Sequence, residues 1–417
     1  MMAANNLTVK AMLTFVLVAC AAAFVMSSLC YTEALVDAFF SLALASLIIL
    51  HLRVRPRWSD VLLVLACTAI FAAVDFRILG YSPQIMVWFS FSGVSSLLVL
   101  GLRAVWAKKE DRTLLLYAWI PAVLFITSEW VASTMLEWTA AAHPKTLDLY
   151  LLSFDASLHV QLSFLAGRIF VHWIRFAGLI FYIGLAIPIS LVYGGQLVRV
   201  GSKAFPAMLA FLITGPVGIL FYNLFPAAGP HNLFQQNFPL HPLQTSIVAR
   251  LLLEPVAIQG PRNAMPSLHM AWTLLAWWYS RGLSWWERTI AFAFVAFTVL
   301  ATLGTGEHWF IDLVVAFPFS LLIEALCAYS LSWKDSQRLT AFFFGLGATL
   351  AWLAALRYGS RLFWTSPIVG WALVVATIAL SCIRQSKLQQ AVGADLKIDE
   401  PLPASMPVAG EVSSVLG

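Results

Sequence analysis

The chain has 417 residues, of which 61% are hydrophobic and 11% charged, and its mean hydropathy is +0.84. That balance excludes a string of soluble domains and predicts an all-α polytopic membrane protein, since helices satisfy their own backbone in lipid. The net charge of +5 is not a nucleic-acid footprint, because the basic residues are scattered through short loops between apolar runs.

In chain order the apolar runs cover about 11–31, 34–52, 60–77, 84–103, 113–135, 170–193, 205–225, 265–282, 288–304, 308–331, 339–357 and 362–382. Each is near the roughly 20 residues that a crossing helix needs, so about twelve transmembrane helices are expected. The first reads as a retained helix rather than a cleaved leader. With both termini cytoplasmic, the 25 Lys and Arg divide 17 inside to 8 outside, although the outer side owns the two longest loops. Every inner loop contributes to that excess, which supports the orientation. The organisation expected is an N-terminal region of four helices (1–112), a six-helix core (113–331), two C-terminal helices (332–387) and a disordered polar tail (388–417).

Between the spans, the outer loop 136–169 carries Asp148, Asp155 and His159 among apolar residues, and Asp148 to Phe164 reads as an amphipathic helix in the interface. The outer loop 226–264 is rich in Pro, Asn, Gln and His, with a short helix expected from Thr245 to Leu253. Cys20, Cys30, Cys67, Cys327 and Cys382 lie in or beside apolar runs without CxxC spacing, which argues against a disulfide framework or a zinc knuckle.

Two polar stretches enter apolar runs, Arg262-Asn263-Ala264-Met265-Pro266-Ser267-Leu268-His269 and Gly306-Glu307-His308-Trp309-Phe310-Ile311-Asp312. Spans eight and ten start on the same side, so both stretches converge on the outer face. His308 and Asp312 are four apart and share a helical face, where a carboxylate on one ring nitrogen fixes the tautomer and frees the other as nucleophile or base. Pro266 suits a first helical turn and Asn263 a cap, which puts Ser267 and free amides at an anion-binding helix N-terminus. His269 is placed to protonate a leaving alkoxide and then deprotonate an acceptor, and Arg262 offers a fork of donors to phosphate oxygens. Arg175 and Arg250 are further candidates for phosphate binding. Glu324, near the inner end of span ten, reads as a packing or interfacial group.

These residues resemble the type-2 phosphatidic acid phosphatase superfamily of integral membrane phosphatases and phosphotransferases. Its PSGH motif corresponds to Pro266-Ser267-Leu268-His269, and the HxxxD half of its third motif to His308 and Asp312. The resemblance implies His308 as the nucleophile that forms a phosphohistidine, Asp312 as its orienting partner, His269 as general acid then base, and no metal or other cofactor. Thr302 and Ala301 stand where that motif has arginine and serine, Leu268 replaces the glycine, and no KxxxxxxRP motif occurs upstream. With Phe225-Pro226-Ala227-Ala228-Gly229-Pro230 and His308-Trp309-Phe310-Ile311-Asp312-Leu313, those departures resemble the inositol phosphorylceramide synthase and sphingomyelin synthase branch.

The function expected is therefore transfer or hydrolysis of a lipid-linked phosphoester at the outer face, in a bacterial inner membrane with the site facing the periplasm. The partners expected are a lipid phosphate or phospholipid substrate and membrane lipids, with no nucleic acid. Simple hydrolysis of a lipid phosphate or polyprenyl diphosphate is the near alternative. A proton- or anion-coupled transporter using the same buried groups is a rival of another class, and a metal held by His269, His308 and Asp312 is a third reading.

Overall fold

A computed structural model describes residues 9–20, 38–79, 85–170 and 175–396. The helices, in chain order, are α1 (Val9–Cys20), α2 (Ala38–Arg53), α3 (Trp58–Leu79), α4 (Ile85–Trp106), α5 (Lys109–Ala142), α6 (Asp148–Ser157), α7 (Leu162–Ile169), α8 (Arg175–Ile183), α9 (Ala186–Val200), α10 (Phe205–Leu224), α11 (Leu268–Tyr279), α12 (Trp285–Thr305), α13 (Phe310–Cys327), α14 (Ser336–Tyr358) and α15 (Pro367–Leu396). Among the described residues eight helical stretches are long and apolar enough to cross a membrane, or nine if the bent pair α6–α7 counts as one.

One of those stretches, Ala186–Leu224, folds back on itself. Gln196 at the end of α9 donates to the Tyr279 carbonyl at the end of α11, whereas Trp272 of α11 donates to Phe211 of α10 and Leu268 packs on Gly218. The chain therefore runs with α11 along α9 and against it along α10, turning at Gly201, whose φ of +62° suits glycine. The predicted sixth span is broken into α8 and α9, and the first is described only as far as Cys20.

α13 is the axis of the fold. Of its span window 83% is buried, against 17% for α3 and for α15, and it packs on α10, α11, α14 and α15. A helix whose apolar residues cover most of its circumference belongs in such a position, and its Asp312 and Glu324 lie near its two ends. The N-terminal helices join through α2, which packs on α4 and α9. A Cβ at Gly93 would lie 2.2 Å from the Leu44 carbonyl, so the glycine permits this backbone approach. Hydroxyls then bridge the helices, Ser46 with Ser190 at 3.0 Å and Thr68 with Ser95 at 3.1 Å, and Arg53 pairs with Glu287.

Two expectations need correction. The segment from Asp148 does not lie as an interfacial helix, because α6 and α7 meet at 87° and α6 is buried, with Leu151, Leu152, Asp148 and Asp155 at 0–2% exposure. Phe154 on α6 packs edge-on to Trp352 and Phe363, so its apolar face meets protein where lipid headgroups were expected. The polar tail does not begin at residue 388 either. α15 continues to Leu396, and residues 397–417 lie outside the description. The short helix expected from Thr245 covers Thr245–Val248.

Candidate active site

The two polar stretches meet because α11 and α13 start at the same end of the bundle, with α12 carrying the chain back between them. The Ser267 amide donates to the Asp312 carbonyl at 3.2 Å, and the rings of His269 and His308 stand 6.0 Å apart at 65°. α12 ends at Gly306, where a φ of +77° allows the sharp turn that brings His308 beneath Ala264.

His308 is 1% exposed, in the loop before α13. Its Nδ1 lies 2.9 Å from the Ala264 carbonyl oxygen. A carbonyl only accepts, so Nδ1 carries the proton and the neutral ring keeps its lone pair on Nε2. Burial pushes the imidazole down to about 4, against the opposing influence of Glu307 and of the Ala264 carbonyl. Burial therefore favours the neutral ring.

This differs from the expected role of Asp312. Its Oδ2 lies 3.6 Å from His308 Nδ1, outside hydrogen-bond range, and accepts the Trp309 amide at 2.7 Å. The carboxylate closes the first turn of α13, and the Ala264 carbonyl takes the imidazole proton. Asp312 stands beside His308 without bonding it, and its Oδ1 has no hydrogen-bond partner among the described residues.

The first stretch also departs from expectation. The N-cap of α11 is Ser267, whose hydroxyl accepts the Met270 amide at 3.3 Å; Asn263 lies four residues earlier and Pro266 precedes the cap. Ser267 is fully buried, and its hydroxyl accepts the Met270 amide and keeps its own proton to donate. Arg262 is no exposed phosphate fork. At 3% exposure its guanidinium donates to the carbonyls of His143, Pro144, Ile258 and Gly260. Those carbonyls flank the two-stranded pairing of β1 (Lys145–Thr146) with β2 (Val256–Ala257), so Arg262 staples two loops and anchors the segment that carries Ala264. The Ala264 amide is itself held by the Ala227 carbonyl at 3.1 Å. Asn263 is partly buried and its Oδ1 is unpartnered among the described residues.

His269, one residue into α11, stacks on Tyr182 of α8, with ring centroids 4.2 Å apart at 12°. Arg175 opens α8, but its side chain lies outside the described residues, as does all of His172. Arg250 is exposed on the loop after Thr245–Val248. Among the described residues no group of three or more His, Cys, Asp or Glu has a metal-holding arrangement.

Asp148, Asp155 and Trp309 were not foreseen as parts of this site. Asp148 accepts the Ala228 amide at 2.9 Å, the Gly229 amide at 2.8 Å and Trp309 Nε1 at 2.8 Å, so one carboxylate clamps the Phe225–Pro230 turn to the residue after His308. Asp155 accepts the Phe310 amide at 2.9 Å and so caps α13 from a separate helix. The available signal was their spacing of seven, which puts both on one face of α6 two turns apart. His159 stands apart from this clamp, exposed and at a φ of +59°.

No curated protein and no solved structure matches the chain. A family model does, described as the PAP2 superfamily, over residues 149–326. That stretch is less than half of the chain, and it contains Asp155, His269, His308 and Asp312 together with the helices that position them. From α6 to the end of α13, then, the protein is similar to the PAP2 superfamily.

Proposed function

We propose that the protein is an integral membrane phosphotransferase or phosphatase that acts on a lipid-linked phosphoester through a phosphohistidine on His308. The observation that carries the reading is the Ala264 carbonyl on His308 Nδ1, which leaves Nε2 as a lone-pair nucleophile with His269 beside it. The similarity of residues 149–326 to the PAP2 superfamily supports the same chemistry.

In the first step His308 Nε2 attacks phosphorus, the P–O bond to the leaving alkoxide breaks, and His269, protonated in the presence of the phosphate dianion, donates its proton to that oxygen. The imidazole becomes a phosphorylated cation, which the Asp312 carboxylate stabilises from 3.6 Å. In the second step His269 removes a proton from the incoming hydroxyl, the new P–O bond forms, and the P–N bond breaks to return neutral His308. With Arg262 engaged elsewhere, the phosphate oxygens fall to the first turn of α11 with Ser267, to Asn263 and to Arg175.

The distribution of Lys and Arg supports an outer position for this end of the bundle, which would be the periplasm in a bacterial inner membrane. A lipid hydroxyl as acceptor is favoured by the Phe225–Pro230 and His308–Leu313 sequences, which resemble the sphingolipid phosphotransferase branch. Water as acceptor makes the enzyme a lipid phosphate or polyprenyl diphosphate phosphatase by the same route. The test is turnover by the purified protein of a panel of lipid phosphates, diphosphates and phospholipids, with and without an alcohol acceptor, in chelator. Release of phosphate or exchange of headgroup that His308→Ala lowers by about 10³-fold or more is expected. Equal activity in the variant refutes the role given to His308, and vesicle flux without phosphate release favours the transporter.

A further inference from the structure

At the end of the bundle away from the histidines, a cavity of about 530 Å³ opens between the ends of α9, α11 and α13, the start of α10 and the last turns of α15. Arg199, Lys203 and Arg281 line it together with Glu324, Gln389 and Tyr329.

Its walls carry a buried polar chain. Arg281 donates to Gln385 Oε1 at 2.8 Å, Gln385 donates to Glu324 Oε1 at 3.3 Å, and Gln389 donates to the same oxygen. Glu324 is 2% exposed, and its other oxygen, Oε2, has no hydrogen-bond partner among the described residues. A carboxylate buried in this way calls for a donor. Gly282 supplies the opposite wall. Its φ is +77°, and a Cβ there would come within 1.7 Å of Arg199 Nη1, so the glycine leaves the space in which the guanidinium lies. Arg199 Nη1 contacts the Arg281 carbonyl at 3.4 Å, and Lys203 is exposed on the turn that follows α9.

Two features therefore stand together: cations at the mouth and a buried acceptor on the floor. A simple inorganic anion would satisfy the cations and leave Glu324 unanswered. We propose that this cavity binds a phosphoester whose alcohol carries a hydroxyl or amino donor, the phosphate resting on Arg199 and Lys203 and the donor reaching Glu324 Oε2. That chemistry belongs to a phospholipid headgroup of the leaflet opposite the histidine pair, or to the corresponding free phosphoester. The cavity is distinct from the candidate active site and does not depend on the reaction assigned to it.

The test is equilibrium dialysis of the full-length protein in detergent against dihexanoyl phosphatidylglycerol, dihexanoyl phosphatidylcholine and glycerol 3-phosphate. Phosphatidylglycerol, which offers hydroxyl donors, binds about tenfold tighter than phosphatidylcholine, which offers none. Lys203→Gln, on an exposed turn, and Arg199→Gln each weaken both lipids about tenfold, whereas Arg199→Lys weakens them less. Glu324→Gln removes most of the preference for phosphatidylglycerol, and the preference persists in the His308→Ala protein, which does not turn the lipids over. Glycerol 3-phosphate binding as tightly as the lipid assigns the cavity to a free phosphoester, and much weaker binding assigns it to the headgroup. Lipids that bind the Lys203→Gln and Arg199→Gln proteins as they bind wild type, or a wild type that does not distinguish the two lipids, overturn the proposal.

Discussion

The residue with the widest reach over the site is Ala264, through a backbone carbonyl that no substitution removes. Its position is set by Arg262, which joins four carbonyls of two loops. A phosphate ligand and a loop staple predict different losses. As a staple, Arg262→Gln lowers kcat and costs at least ~2 kcal/mol of stability, since it strands buried carbonyls at about 1–3 kcal/mol each. KM changes little, and Arg262→Lys does not rescue, because one ammonium cannot match a planar fork. Steady-state kinetics with a thermal melt in detergent separates the two roles, and a rise in KM alone would restore Arg262 to the phosphate. Asp312→Asn is the complementary case. Because Ala264, and not Asp312, takes the imidazole proton, the substitution leaves the tautomer intact and removes only charge. The expected loss in kcat is about 10²–10³-fold, the range for one electrostatic stabiliser, and stopped-flow release of product measures it. The sequence displayed both histidines and Asp312, since motif spacing fixes which residue types meet. It could not display the roles of Ala264 and Arg262, because a main-chain acceptor has no side-chain signature and an arginine beside a motif looks the same whether it faces solvent or carbonyls.

At the scale of elements, the site depends on how three pieces of chain meet: the turn after α10, the turn before α13, and the start of α6. Asp148 holds the first two with three hydrogen bonds, and Gly229 sits where they touch. The φ of Gly229 is +88°, and a Cβ there would lie 2.3 Å from the Glu307 carbonyl oxygen. Gly229→Ala therefore pushes the residue before His308 out of place. We expect a loss of activity of at least about tenfold with a destabilisation of about 1–3 kcal/mol, the range for strain at a special backbone position. Activity and melting temperature unchanged in that variant would show that the turn yields freely. The positions of the apolar runs were legible because hydrophobicity of about twenty residues marks a helix whatever surrounds it. The burial of α6 was not. A half-polar helix of ten residues suits an interface and a protein interior equally well, and the difference lies in the aromatic residues of α14 and the 360–363 turn that cover Phe154.

For the whole molecule, topology makes one end of the bundle chemically unlike the other. The starts of α11 and α13 and the end of α12 gather the histidines at one end, and the opposite ends of α11 and α13, with the end of α9, gather Arg199, Arg281 and Glu324 around the distant cavity. The alternation of spans made the meeting of the two histidine stretches readable in advance, whereas the cavity at the other end had no motif to announce it. The reversal of the chain at Gly201 was expected as a loop between spans, whereas the break between α8 and α9 was masked by continuous apolar sequence. At the end that carries the histidines, the decisive experiment is to trap the phosphohistidine. Purified protein is mixed with a lipid phosphate or phospholipid that it turns over, labelled on phosphorus, and quenched in alkali within milliseconds. Base-stable, acid-labile label is expected on the wild-type protein, located on His308 and absent from His308→Ala. Turnover by the wild type with no covalent label at any time, or label that persists in His308→Ala, would contradict the role given to His308.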